Sequence, residues 1–266
     1  MQFLNVACGD IFVVSNLWEN CDFAPKTNEV NQVNILSGLP YKDNTFDVVY
    51  CSHYIEHIPK SEILNFLQEC NRVTKPNGLI RLVLPDFENI AREYLYNIEQ
   101  GNELFAEFNI VEMIDQCTRV KSGGEMIKYF RQSTDVNLQE YVKLRTGHES
   151  NSYQIASSIF MRLKRVNFKK VKYKVQRIYS RILVELLPSW FKVNHISMTE
   201  TGEKHLWVYD FYTIKNILNN SGYFSVLRKN AYESSNPEFP IYPLDIDSYN
   251  KSRKGELSMY IEAVKV

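Results

Sequence analysis

Two imidazoles and a carboxylate crowd into one short stretch at His53, Glu56 and His57. Four-residue spacing would put the two histidines on one face of a helix, with Glu56 beside them. Imidazole titrates near neutral pH, which makes His53 the candidate general base; the competing reading is a histidine that only packs. No Cys or carboxylate stands at metal-ligand spacing, so no metal is expected. A second polar set, His205, Tyr209 and Asp210, lies far along the chain and fits the wall of an acceptor pocket. Its structural alternative is a helix entry, with Asp210 as N-cap and Trp207 as a core anchor. Asp86 follows an apolar run and is either a site residue or a turn.

These side chains need a frame. Phe3 to Ala7 is an apolar run ended by Cys8-Gly9-Asp10, which reads as a buried strand followed by a tight turn. In open α/β folds, such a turn at the carboxyl edge of a parallel sheet lets backbone amides approach a ligand. The G-x-G-x-x-G dinucleotide fingerprint is missing, which disfavours a nicotinamide enzyme. Further strands are predicted over 18–23, 33–36, 46–51 and 79–84. Ser61 is the expected N-cap of a helix that carries Ile63, Leu64, Phe66, Leu67, Cys70 and Val73 at helical spacing and stops at Pro76-Asn77-Gly78. Strand, helix, strand in succession implies right-handed winding and a parallel sheet. The same grammar returns with a helix over 211–221 and strands over 223–228 and 257–264.

The expected fold class is therefore α/β: a Rossmann-like, mainly parallel sheet with a C-terminal antiparallel strand, interrupted by a largely helical insertion. Residues 1–92 and 205–266 form the core and 93–204 the insertion, a candidate acceptor-binding cap. Across 266 residues, 44% hydrophobic and 23% charged side chains fit an ordinary globular protein. Net charge is zero, so no global field favours nucleic acid. The five cysteines are odd in number and form no C-x-x-C pair, which argues against a disulfide framework or a zinc site and for a reducing compartment. The N-terminal residues lack the basic region of a signal peptide, and no run of about 18 apolar residues predicts a membrane span. The expected location is cytoplasmic. Charge is uneven inside the insertion: Arg162, Lys164, Arg165, Lys169, Lys170, Lys172, Lys174, Arg177 and Arg181 are opposed only by Glu185 up to Trp190. Apolar residues from Ile178 to Phe191 accompany them. Such a stretch fits peripheral contact with an anionic membrane or a phosphorylated substrate, or else a solvated face packed on the core.

Taken in order, LNVACG (4–9), GLPYKDNTFD (38–47), VYCSHYIEH (49–57), ECNRVTKPNG (69–78), LPD (84–86), GEKHLWVYD (202–210) and LSMYIEA (257–263) resemble the class I S-adenosylmethionine-dependent methyltransferases. The resemblance is nearer to a bacterial subgroup associated with surface-glycan genes, and it omits about 97–201. It implies S-adenosylmethionine as cofactor, with Ala7, Cys8 and Gly9 along its methionine and ribose side. Asp22 would accept from the ribose hydroxyls, although it can equally cap a turn. Asn34 would face the adenine amino group, Ile35 would pack on the ring, and Cys51, Ser52 and His53 would lie where methionine and acceptor meet. His53, His205 and Asp86 are the implied catalytic candidates, His53 taking the proton of an attacking hydroxyl. The implied reaction is O-methylation of a sugar or glycan precursor. A small-molecule methyltransferase and a degenerate, partner-binding domain are the rival readings. One departure motivates the last: a single glycine marks the loop, and too few residues separate Gly9 from Asp22 for a full first helix and strand.

Overall fold

The computed structural model describes residues 1–132, 135–146, 179–180, 182–188, 191, 202–255 and 258–266. The basic residues 162–177 and Arg181, with Ile178 and Trp190, lie outside the described residues.

Seven strands form one sheet: β1 (Phe3–Val6), β2 (Trp18–Asp22), β3 (Asn31–Gln32), β4 (Phe46–Ser52), β5 (Thr74–Leu84), β6 (Tyr223–Lys229) and β7 (Met259–Lys265). Their order is β3-β2-β1-β4-β5-β7-β6. The first five are parallel to their neighbours, and β7 runs antiparallel between β5 and β6. The fold is thus the expected Rossmann-like sheet with an antiparallel C-terminal strand. β1 is buried along its whole length, as an apolar run in a sheet covered on both faces should be.

Helix α1 (Ile63–Val73) lays Ile63, Phe66, Leu67, Cys70 and Val73 on one face of the sheet. Helix α6 (Phe211–Asn220) adds Ile214 and Leu218 to that face. The other face is covered differently. Phe3 stacks on Trp18 at 4.8 Å, and Tyr50, Phe239 and Tyr260 extend this aromatic layer. Between β1 and β2, where a full helix would not fit, the chain crosses as a loop with Ile11 and Val13 packed on the layer. Two buried asparagines secure it: Asn5 Nδ2 donates to the Ile11 carbonyl at 3.0 Å and Asn20 Nδ2 to that of Val13 at 2.9 Å. Loop backbone held under a sheet must have its polar groups satisfied, and the strands supply those donors from their own side chains.

Four helices follow β5: α2 (Phe87–Glu99), which starts before the expected boundary at 93, α3 (Glu103–Thr118), α4 (Met126–Gln132) and α5 (Val136–Thr146). Phe108, Met126, Leu138 and Val142 form their core. Several structural expectations need correction. The third strand is Asn31–Gln32, and 35–37 is a 3-10 turn. Ser61 does not cap α1; Glu62 occupies the N-cap and makes no capping bond through its side chain. Strand β5 starts at Thr74, straight out of α1, and accommodates Pro76-Asn77-Gly78 as a register shift opposite β4, with Asn77 left-handed at φ 62°. Trp207 is 40% exposed and anchors no core; Lys60 Nζ sits 3.9 Å from its ring centroid.

Candidate active site

The carboxyl ends of β1, β2, β4 and β5 lie side by side, and two adjoining strands end in strained backbone. Ala7, after β1, has φ 55°, and His53, after β4, has φ 49°. Left-handed geometry costs a side-chain-bearing residue roughly 1–2 kcal/mol and persists where the surroundings impose it, commonly at functional sites. His53 is held there by its backbone N–H, which donates to the Val83 carbonyl at 2.8 Å.

A cavity of about 600 Å³ opens at this edge. Ala7, Gly9, Asp22, Asn34, Ile35 and His53 all line it, together with Tyr54, His57, Lys26 and Lys204. Six of the nine residues expected around a cofactor are thereby brought together. Cys8, Cys51 and Ser52 do not line it. Cys51 is buried in the core against α1, and burial pushes its thiol well up, as it does that of Cys8 to about 12. Asp22 does hold a turn: Oδ2 accepts from Gly9 N at 3.0 Å and Oδ1 from Ala24 N at 2.8 Å. A carboxylate oxygen has a further lone pair, so this capping and a ligand contact are compatible. Asn34 spends its amide N–H on Ser37 Oγ, a bond in which its carbonyl oxygen takes no part.

A second cavity of about 300 Å³ adjoins, lined from the core by His53, His57, Asp86, His205, Lys254 and Ser258 and from the insertion by Glu112, Met113, Gln116, Arg119, Met126 and Arg145. His53, His57 and Gly202 belong to both cavities. The catalytic candidates divide here. Asp86 is the N-cap of α2, its Oδ1 accepting from Glu88 N and Asn89 N, while Oδ2 pairs with Arg228 at 2.9 Å. It borders the cavity with its oxygens committed to structure. Asp210 likewise caps α6 through Thr213 N at 2.8 Å, so the helix-entry reading holds for it. Tyr209 is buried with an unpartnered hydroxyl.

Glu56, which the sequence placed only beside the histidines, is the centre of the group. It is 1% exposed, and no well-aligned hydrogen bond reaches either carboxylate oxygen. His53 Nδ1 lies 3.2 Å from Oε1, and the Nε2 atoms of His57 and His205 each lie 4.0 Å from it. The backbone explains the convergence: Leu206 N and Trp207 N donate to the Glu56 carbonyl, drawing the returning chain onto this turn. Burial opposes ionisation of Glu56, but the imidazoles around it, His53 foremost, outweigh burial and hold its carboxyl at about 2. Burial pushes His205 down to about 3 against the pull of Glu56, and lowers His53 in the same way. The fold thus gathers the Glu56 carboxylate with His57 and His205, their ligand atoms within 4.8 Å of one another, a grouping that sequence spacing did not indicate. Lys204, Lys254, Arg119 and Arg145 also line these cavities, and sequence reasoning missed them because no local pattern links them to the strand ends.

Residues 4–82, which supply most of the larger cavity's wall, match the methyltransferase domain model. Among similar proteins, a probable methyltransferase of Aspergillus luteorubrus, ltbC, is 48% identical over 48 residues, covering 18% of this chain and 17% of that one. A demethylmenaquinone methyltransferase of Staphylococcus haemolyticus is 32% identical over 79 residues, 26% of this chain and 32% of the relative. The chain thus spans less than a third of the length of these relatives. A solved S-adenosylmethionine-dependent methyltransferase from Archaeoglobus fulgidus aligns over 99% of this chain and 86% of its own at 14% identity and a TM-score of 0.39.

Proposed function

We propose that the chain is an S-adenosylmethionine-dependent methyltransferase that O-methylates a sugar or glycan precursor. The observation that carries this reading is the junction of the two cavities at His53, with the larger one walled by the segment that matches a methyltransferase domain. The larger cavity suits the cofactor: its volume lies in the range of small-molecule sites. Asp22 offers acceptors to a ribose diol, and Ile35 offers an apolar surface to a ring. When bound, S-adenosylmethionine supplies a methyl group on a sulfonium and leaves as S-adenosylhomocysteine.

The protein's own residues then act by alignment and by excluding water. The smaller cavity receives the acceptor, and the helical insertion forms its far wall through Glu112, Gln116, Arg119 and Arg145. His53 holds the proton of the acceptor hydroxyl. Its Nδ1 faces Glu56, and its Nε2 is buried without a partner in the protein. A carboxylate on one ring nitrogen fixes the tautomer that leaves the other basic. His205, held at about 3, is a weak base and lines the pocket instead. The basic stretch 162–181 would bring the enzyme to an anionic membrane or a lipid-linked phosphate, a role tested by sedimenting the protein with anionic vesicles before and after neutralising Lys169, Lys170, Lys172 and Lys174. Among the described residues no helix is long and apolar enough to cross a membrane.

Calorimetric titration with S-adenosylmethionine and S-adenosylhomocysteine tests the reading. Saturable binding that Asp22→Ala weakens by about 10- to 100-fold, the worth of hydrogen bonds to a charged group, supports it. A folded sample that binds neither ligand overturns it in favour of a partner-binding domain, which the loop in place of the first helix would suit.

A further inference from the structure

Glu56 is a buried carboxylate whose two oxygens receive no well-aligned hydrogen bond. Desolvating an anion costs several kcal/mol unless charge offsets it; His53 Nδ1, 3.2 Å from Oε1, and the ammonium of Lys254 offset part of that cost, and a cation held by the remaining ligand atoms would offset more. The neighbouring rings show where. His57 Nδ1 lies 2.8 Å from the Lys204 carbonyl oxygen, which can only accept. In the neutral imidazole the proton is therefore on Nδ1, and the lone pair of Nε2 faces Glu56 Oε1 across 4.0 Å. His205 presents Nε2 to the same oxygen, also at 4.0 Å, with the two rings edge to face at 4.8 Å. At 4.0 Å the gap from either ring to Oε1 is too wide for a direct hydrogen bond.

We propose that Glu56, His57 and His205 bind a divalent transition-metal ion of the zinc class. The three ligand atoms lie within 4.8 Å of one another. An ion equidistant from them would be no more than about 2.5 Å from each, against the roughly 2.0–2.2 Å of zinc with imidazole and carboxylate, so side-chain adjustments of less than about an ångström close the site. Two imidazoles and one carboxylate are a donor set for zinc, cobalt or nickel rather than for magnesium or calcium, which take oxygen. Three protein ligands leave a fourth position open, as in catalytic rather than structural zinc sites. The Lys204 carbonyl on His57 is the outer-shell partner such a ligand needs to fix its tautomer. His57 and His205 both border the smaller cavity, so the open position would be available to an oxygen of whatever occupies it. The site is independent of the methyl-transfer reading and would stand if no cofactor bound.

The test uses the full chain, stripped with a chelator and titrated with Co²⁺, read by its visible absorption and by competition with Zn²⁺. The expected result is saturable binding of one equivalent that Zn²⁺ displaces, weakened at least about 100-fold in His205→Ala and in His57→Ala, since losing a ligand should exceed the 10- to 100-fold cost of losing an outer-shell partner. Circular dichroism confirms the fold of each variant. His57 is partly exposed, so His57→Ala keeps the test decisive if His205→Ala does not fold. Wild-type protein that gives no saturable Co²⁺ signal, or a folded His57→Ala that binds as tightly as wild type, overturns the site and leaves a proton shared among Glu56 and the histidines as the compensating charge.

Discussion

Removing the guanidinium of Arg81 should destabilise the protein more than any surface substitution, because it would strand two buried carboxylates. Arg81 is fully buried on β5. Its Nε donates to Asp245 Oδ2 at 2.8 Å, Nη1 to Glu262 Oε1 at 2.7 Å and Nη2 to the Asn230 carbonyl at 2.9 Å. Tyr50 donates its hydroxyl to Asp245 at 2.7 Å, and the Ser234 hydroxyl and the Ser235 backbone N–H donate to Glu262. This cluster ties 230–245 to the sheet face that has loops where helices might lie. Arg81→Met preserves most of the volume but leaves Asp245 and Glu262 without their cation. Breaking a buried pair in this way costs about 3–5 kcal/mol, and at about 2–4 °C per kcal/mol for a chain near this size the melting midpoint should fall by roughly 6–20 °C. Scanning calorimetry of Arg81→Met, Asp245→Asn and the double variant measures it. Once Asp245 is neutral, less of the Arg81 cost remains, so the double variant should lose clearly less than the sum of the singles. A fall in midpoint under about 2 °C for Arg81→Met, or strict additivity, would refute the argument that the buried carboxylates depend on this one cation.

Three further outcomes follow from the site and its supports. His53→Asn keeps a residue that tolerates φ 49° while removing the imidazole; kcat with any sugar acceptor that turns over should fall by about 10²- to 10⁴-fold, and an unchanged kcat would remove His53 as the base. Glu69 is held below the usual glutamate value chiefly by its hydrogen bonds from Arg72, with burial opposing. Its stabilisation is therefore complete above that usual value and is lost as pH falls through the lowered one, so the gap in melting midpoint between wild type and Glu69→Gln should narrow on acidification; a gap that does not vary with pH would contradict this. At Gly78 an added Cβ would meet the Lys75 carbonyl oxygen and Thr74 Cγ2 at 2.8 Å, so Gly78→Ala should cost about 1–3 kcal/mol in denaturant unfolding, against no change if the bulge between β4 and β5 yields.

What sequence could and could not reveal divides along physical lines. Strands β1, β4, β5, β6 and β7 were legible because each is an apolar run with its own stop signal, and the α1 and α6 patterns because one face of each helix meets the sheet. Helix α3 was faint because it buries Asn109 and Asp115 where a periodic pattern would place apolar residues, their polar groups being satisfied within the insertion by Tyr141 and Arg119. Ala7, Gly9, Asp22, Asn34 and Ile35, which the resemblance would place around a cofactor, share one cavity because a parallel sheet brings the carboxyl ends of its strands and the loops after them together. Glu56 was not recoverable by that logic. Its burial depends on 202–207 returning across the strand ends nearly 150 residues later, and the same return brings the distant His205 beside it. A lone His-x-x-Glu-His stretch carries no sign of that closure. The perturbation of Glu56 thus combines a local partner, His53, with a contact to His205 that no local pattern announces, and the strained φ angles of Ala7 and His53 mark the same edge from the backbone side.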